Sequence, residues 1–251
     1  KGTEKRDKYK VYGELINTYG YNLEPGSKEL TALNYYTNEE ITIPLDPTQT
    51  PGENAQRYFA KYNKQKRTFE ALTELIQETA DDIQYLESIS NALDIALSEA
   101  DLAQIKEELM QSGYIRRKHT KKKVKLTSKP MHYISSDGYD MYVGKNNLQN
   151  EELTFSFANG NDWWFHAKGA PGSHVIVKSG GDELPDRTFE EAGRLAAYYS
   201  KNRGADKVEI DYIQKKHVKK PNGAKPGFVV YYTNYSLVID SDISNIKNVQ
   251  D

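Results

Sequence analysis

Between Gly52 and Gly113 the chain has no glycine and no proline, and that feature constrains its fold more than any other. A stretch this long without a breaker, rich in strong helix formers, reads as helix. Within it Tyr62, Phe69, Leu72, Ile76, Ile83, Leu86, Leu93 and Leu97 fit a seven-residue repeat, with Gln65, Thr79 and Ser90 as its polar members. That is the pattern of a coiled-coil seam. Thr50-Pro51-Gly52-Glu53 opens the helix: threonine caps, proline suits the first helical position, and Glu53 reaches back as a capping box. From Pro51 to Leu97 it would run about 70 Å at ~1.5 Å per residue. Ser98-Glu99-Ala100-Asp101 reads as a fresh cap, opening a shorter helix on Leu102, Ile105 and Leu109 that ends at Gly113.

Such a seam needs a mate. Residues 4–18 read as a helix with Tyr9, Tyr12, Leu15 and Ile16 on one side, but it is too short to cover the seam. The chain opens on Lys1 rather than methionine and is read as a piece of a longer protein. Missing upstream sequence is therefore expected to supply an antiparallel partner helix, with weak self-association through the coiled coil as the other solution. Between the two helices, Leu30–Tyr36 and Ile41–Ile43 flank the polar turn Thr37-Asn38-Glu39-Glu40 as a hairpin. Pro44-Leu45-Asp46-Pro47 then ends the ladder, because proline lacks the amide donor.

The net charge of −2 hides an asymmetry: residues 1–114 carry 12 Lys/Arg against 20 Asp/Glu, and residues 115–251 carry 22 against 16. Three parts are expected: 1–114 a coiled-coil and middle domain, 115–130 a basic linker, and 131–251 a compact α/β domain. In the last, His132–Ser136 and Tyr139–Gly144 form a hairpin around Asp137-Gly138. Asn150–Ala158 reads as a short helix and Phe189–Asn202 as an amphipathic one. Trp163–Ala167, His174–Lys178, Val208–Ile213 and Phe228–Ile239 complete a small mixed sheet. The fold class is α+β: a long helical arm with a small hairpin domain, then a mixed α/β domain. The composition is that of a soluble protein, with no run near the ~18 apolar residues a membrane span needs. The absence of cysteine excludes disulfides and thiolate metal sites and fits a reducing compartment, so a cytoplasmic location is expected.

Two clusters suit a polyanion. Arg116, Arg117, Lys118, Lys121, Lys122, Lys123, Lys125 and Lys129 crowd one acid-free stretch that includes His119. Lys215, Lys216, Lys219, Lys220 and Lys225 lie in a Pro/Gly-containing loop. Phosphate binding needs flexible cations that displace condensed counterions; the bland alternative is a solvated basic linker beside the acidic helix. The densest segment runs from Asp162 through Trp163, Trp164, Phe165 and His166 to Pro171-Gly172-Ser173-His174-Val175. Lys168, Ser173, His166, His174 and the amides of its glycine loop could hold a phosphate or ribose, with one tryptophan as a stacking face. A zinc site on Asp162, His166 and His174 matches no ligand spacing, and aromatic core residues on a strand are the ordinary alternative. Tyr231, Tyr232 and Tyr235 are read as strand packing, since only alternate residues of a strand can face outward.

These motifs together resemble the NFACT family over almost the whole chain. Pro44-Leu45-Asp46-Pro47, Asn54-Ala55-Gln56-Arg57-Tyr58-Phe59 and Tyr62-Asn63-Lys64 are similar to its middle region. Ser135-Ser136-Asp137-Gly138, Val143-Gly144-Lys145-Asn146-Asn147 and Asp162 to Val177, with Trp164-Phe165-His166, are similar to its C-terminal RNA-binding-type domain. The resemblance implies a non-enzymatic, cofactor-free module, without a metal site, of a factor that binds obstructed large ribosomal subunits with tRNA. That factor helps append C-terminal alanine tails to stalled chains, while the ribosome supplies the peptidyl-transfer chemistry. The arm would reach towards the stalk base and the basic domain would contact rRNA, with Lys145, Asn146, Asn147 and Trp164 added to the clusters above as RNA contacts. The family implies a second reading, an anchorless surface adhesin for host fibronectin or fibrinogen. A metal-dependent hydrolase is a distant third.

Overall fold

The computed structural model describes residues 2–117 and 127–249, which fall into two compact units, Lys1–Asp81 and Asp82–Asp251. In the first, α1 (Gly2–Tyr19) is followed by an antiparallel hairpin of β1 (Glu29–Asn34) and β2 (Glu39–Pro44), then by α2 (Pro51–Ile95), which runs on into the second unit. Alternation along β1 turns Leu30, Ala32 and Asn34 inward, and Leu30 pairs with Ile43 across the ladder. Leu15, Ile16, Leu45, Ala55 and Tyr58 complete that core. The hairpin turn places Asn38 at φ 59°, a conformation asparagine tolerates better than most residues.

The expected capping box is formed. Thr50 N donates to Glu53 Oε2 at 2.9 Å, and Glu53 N donates to Thr50 Oγ1 at 3.1 Å. One turn on, buried Asn54 donates to the carbonyls of Asp46 and Thr50, both at 3.1 Å, and accepts from Asp46 N at 2.8 Å. The PLDP loop is thus tied to the start of α2. Thr50→Ala should cost about 1 kcal/mol, readable as a matching fall in denaturant stability of the first unit.

In the second unit the end of α2 is followed by α3 (Glu99–Gln111), capped as the sequence suggests by Ser98 Oγ, which accepts from Asp101 N at 3.2 Å. Strands β3 (Met131–Ile134), β4 (Asp140–Val143), β5 (Trp163–Ala167), β6 (Val175–Val177), β7 (Val208–Gln214), β8 (Tyr235–Ile239) and β9 (Lys247–Asn248) form one sheet. Its order is β8-β7-β5-β6-β4-β3-β9, with α4 (Asn147–Glu152) before β5 and α5 (Asp186–Tyr198) between β6 and β7. The overall class is α+β.

The sheet is antiparallel at every pairing rather than mixed. The reason is topological: α5 carries the chain from β6 to β7, which run in the same direction, but β5 lies between them. A strand-helix-strand pattern therefore occurs without a parallel ladder. Phe228–Val229 and Tyr231–Asn234 are not strand either; only a bridge between Val230 and Lys219 precedes β8. The two compact units divide at Asp81/Asp82. The end of α2 and α3 belong with the second unit, held there by Asn91 Nδ2 donating to Tyr199 O at 3.2 Å and Lys201 pairing with Asp94 at 2.6 Å.

Alternation along β5 sorts the second unit into two apolar layers. Phe165 and Ala167, with half-buried Trp163, face Ala192, Leu195 and Ala196 of α5. Trp164 faces the other way, against Leu153, Ile176, Ile213 and Val218. The heptad positions on α2 keep large apolar surface outside: Phe69, Leu72 and Ile76 in the first unit, and Ile83, Leu86 and Leu93 in the second, are all exposed, as is Leu97 just beyond the helix.

Candidate functional site

The sheet face opposite α5 carries a cavity of about 290 Å³, walled entirely by the second unit. Strands β5 and β6 contribute Trp164, His166 and His174, joined by the loop Gly169–Gly172. Gly169 takes φ +63°, the left-handed turn that the close approach of the two strands needs. The loop is clamped to the end of α5: Ser173 N donates to Tyr199 O at 3.0 Å and Lys201 N to Pro171 O at 2.9 Å. The opposite walls come from Ser88 and its neighbours on α2, from Asn147 and Asn150 on α4, and from Gly227, Phe228, Val229 and Tyr231.

The aromatic rings are packed on one another. Trp164 stacks on His166 at 5.6 Å and 10°, meets His174 edge-on at 5.2 Å, and lies 4.9 Å from Tyr231. Tyr231 is fixed in turn by its hydroxyl, which donates to buried Asp211 at 2.7 Å. His174 N donates to Asn150 Oδ1 at 3.1 Å, and its Nδ1 lies 2.8 Å from Thr154 Oγ1. Burial, then the neighbouring His166, pushes the His174 pKa down to about 3, and burial lowers that of His166 as well. Both imidazoles are therefore neutral at neutral pH.

The structure rearranges the residues read as contacts. Neither tryptophan is an open platform: Trp164 is 1% exposed, and Trp163 packs edge-on against Phe189 at 4.9 Å. Asn146 and Asn147 are largely buried, and Asn147 also lines the cavity. Asn146 caps α4, its Oδ1 accepting from Gln149 N at 2.9 Å and its Nδ2 donating to Gln104 at 2.8 Å. Asn147 Nδ2 donates to Ser88 at 2.8 Å and to Glu108 at 3.1 Å. Glu108 is fully buried, and burial raises its pKa. Lys145 pairs with Asp101 at 3.1 Å.

Lys168 lies outside the cavity wall and pairs with Glu209 at 2.8 Å, and Ser173 is buried behind the loop, its Oγ unpartnered. The phosphate cradle expected from Lys168, Ser173 and the histidines is thus not assembled, because no cation lines the cavity. The zinc reading fails too. Asp162 points at Lys178 Nζ, 2.6 Å away, and at the amides of Asn159 and Ser179. No three His, Cys, Asp or Glu side chains among the described residues could hold a metal.

Of the first basic cluster, Arg116 is exposed and Arg117 pairs with Glu107 at 2.5 Å. Lys118, His119, Lys121, Lys122, Lys123 and Lys125 lie outside the described residues. In the second cluster Lys216 and Lys219 are exposed and Lys215 half-buried. Lys220 pairs with Glu151, and Lys225 with Asp82 at 3.1 Å. The bridge to Val230 places Lys219 beside two wall residues of the cavity, Val229 and Tyr231. Sequence reasoning named Asn147 of α4 but missed Asn150 and the α2 wall.

Comparison with known proteins agrees with this architecture. Residues 1–128 match the NFACT N-terminal and middle domains, and residues 129–232 match the NFACT protein RNA binding domain. The chain is 42% identical over 249 residues to the protein named Rqc2 homolog RqcH of Streptococcus pneumoniae serotype 2, covering 99% of this chain and 45% of that protein. It is 40% identical over 251 residues to the protein of the same name in Bacillus subtilis strain 168, covering 97% of this chain and 43% of that one. The chain thus spans less than half the length of these relatives. A solved structure, the C-terminal part of the fibronectin/fibrinogen-binding protein from Streptococcus suis, superposes with a TM-score of 0.72 at 36% identity, covering 98% of this chain and 92% of that one. A chain matched this fully, in motif order and in three dimensions, belongs to the NFACT family.

Proposed function

We propose that this chain is the RNA-binding part of a ribosome-associated quality-control factor, acting by docking and not by catalysis. The observation that carries the proposal is the lysine group after β7: half-buried Lys215 and exposed Lys216 and Lys219 make no ion pair among the described residues. Cations left unpaired in a protein with as many acids as this one are available to phosphates. Arg116 and the lysines at 118–125 are further candidates for phosphate contact. In the intact protein the docking target is the obstructed large subunit with its tRNA, the arm directed to the stalk base, and the outcome is alanine tailing of the stalled chain in the cytoplasm.

The test is co-sedimentation with purified large ribosomal subunits over a salt series, comparing the chain with a variant carrying Lys215→Glu, Lys216→Glu and Lys219→Glu. Each phosphate contact contributes roughly 0.7–0.9 to the slope of log affinity against log salt. The triple reversal should flatten the slope by about 2 and weaken binding at least tenfold near 0.1 M salt. Unchanged affinity and slope would remove the proposal. A second reading, adhesion to host fibronectin, is favoured by the Streptococcus suis protein's name. It calls for saturable binding to a fibronectin-coated surface that survives nuclease, and loss of signal after nuclease would end it.

A further inference from the structure

The cavity and the basic surface beside it have opposite chemistry, and that difference says what the cavity takes. Its wall carries one acidic side chain, Glu87, and no Lys or Arg; burial disfavours the charged form of both histidines in it. A phosphate, sulfate or carboxylate placed there would lose its water and meet no compensating charge. What the wall offers is aromatic area from His166, Phe228 and Tyr231, with buried Trp164 directly behind them, edged by the polar side chains of Asn147 and Ser88. A volume of about 290 Å³ is at the small end of ligand sites. It admits one planar ring system and excludes a duplex or a helix.

We infer that the cavity receives a single unstacked nucleobase of the bound RNA, while the neighbouring lysines hold the phosphates on either side of it. The inference rests on the RNA-binding reading above and adds to it a base-dependent component. Single-stranded RNA is recognised by splaying a base out of its stack onto aromatic side chains, a division of labour that leaves the charge to cations on the rim. Lys219 is positioned for that second role by its bridge to Val230, between wall residues Val229 and Tyr231. The Trp164 ring, 1% exposed, can be reached by a ligand only through the cavity.

That burial supplies a specific reporter. With Trp163→Phe, Trp164 becomes the sole tryptophan of the full chain. Its emission should then change saturably as adenosine, guanosine, cytidine or uridine is added, and inorganic phosphate should leave it unaltered. Because nucleosides carry no charge, the response should persist at 0.5 M salt, where RNA binding through lysines has collapsed. Phe228→Ala should weaken the nucleoside response and the affinity for a single-stranded RNA about tenfold, as expected for loss of one stacking face, and Phe228→Tyr should restore both. If no nucleoside alters Trp164 emission, and Phe228→Ala binds RNA as the parent does, the base pocket is overturned while the lysine-based reading stands. If nucleosides bind but RNA and ribosomal subunits do not, the pocket is upheld and the RNA-binding reading falls.

Discussion

Asp162→Ala should destabilise the second unit by about 2–3 kcal/mol, the cost of deleting a buried carboxylate that anchors several donors. Asp162 is 2% exposed; its Oδ2 accepts from Lys178 Nζ at 2.6 Å and from Asn159 N at 2.7 Å, and its Oδ1 accepts from Ser179 N at 2.9 Å. Alanine removes these acceptors together; Lys178 Nζ keeps only the Phe157 carbonyl at 3.1 Å, and the buried Ser179 amide loses its partner. Both tryptophans lie in this unit, so a denaturant titration followed by their fluorescence reads it apart from the first unit. A loss below about 1 kcal/mol would mean that water replaces the carboxylate without strain. Asp162→Asn, which keeps acceptor capacity but not the charge, should fall between the two.

The second large effect is a loss of stability in acid. His174 is held near a pKa of about 3 in the folded chain and returns to about 6.5 when unfolded. Between those values the unfolded chain binds the extra proton, so stability is intact above about pH 6.5 and falls as pH drops towards 3. The loss attributable to His174 should reach about 2–3 kcal/mol between roughly pH 7 and pH 4.5. Burial of His166 works in the same direction. In His174→Gln the stability–pH curve should be flatter by that amount across the same window. A variant curve parallel to the parent's would show that His174 titrates normally in the folded state.

The parts of the fold legible in the sequence are those set by local chemistry. The capping box at Thr50 and Glu53, the fresh cap at Ser98, the Asp137-Gly138 turn and the exposed heptad positions from Phe69 to Leu97 each depend on residues within a few turns of one another. The site was legible only in fragments. Trp164, His166 and His174 stand close in sequence and do converge. Their counterparts on α2 lie some eighty residues earlier, on a helix whose periodicity announced an arm and said nothing of a wall. Asn146 and Asn147, named as RNA contacts, also hold the structure together: their amides satisfy a helix end and a buried carboxylate. The direction of β7 was likewise hidden, because only the position of β5 between β6 and β7 decides it.

The strand order has a consequence for synthesis. Strand β3 opens the sheet region in sequence, yet one of its two neighbours is β9, the last strand of the described chain. Tyr133 and Ile134 keep an unsatisfied flank until Asn248 and Lys247 emerge, so the β3 edge remains available to stray partners while the residues between are made. A chain cut before Lys247 would carry that open edge permanently. Self-association through it, rather than unfolding, is the defect such a truncation should present.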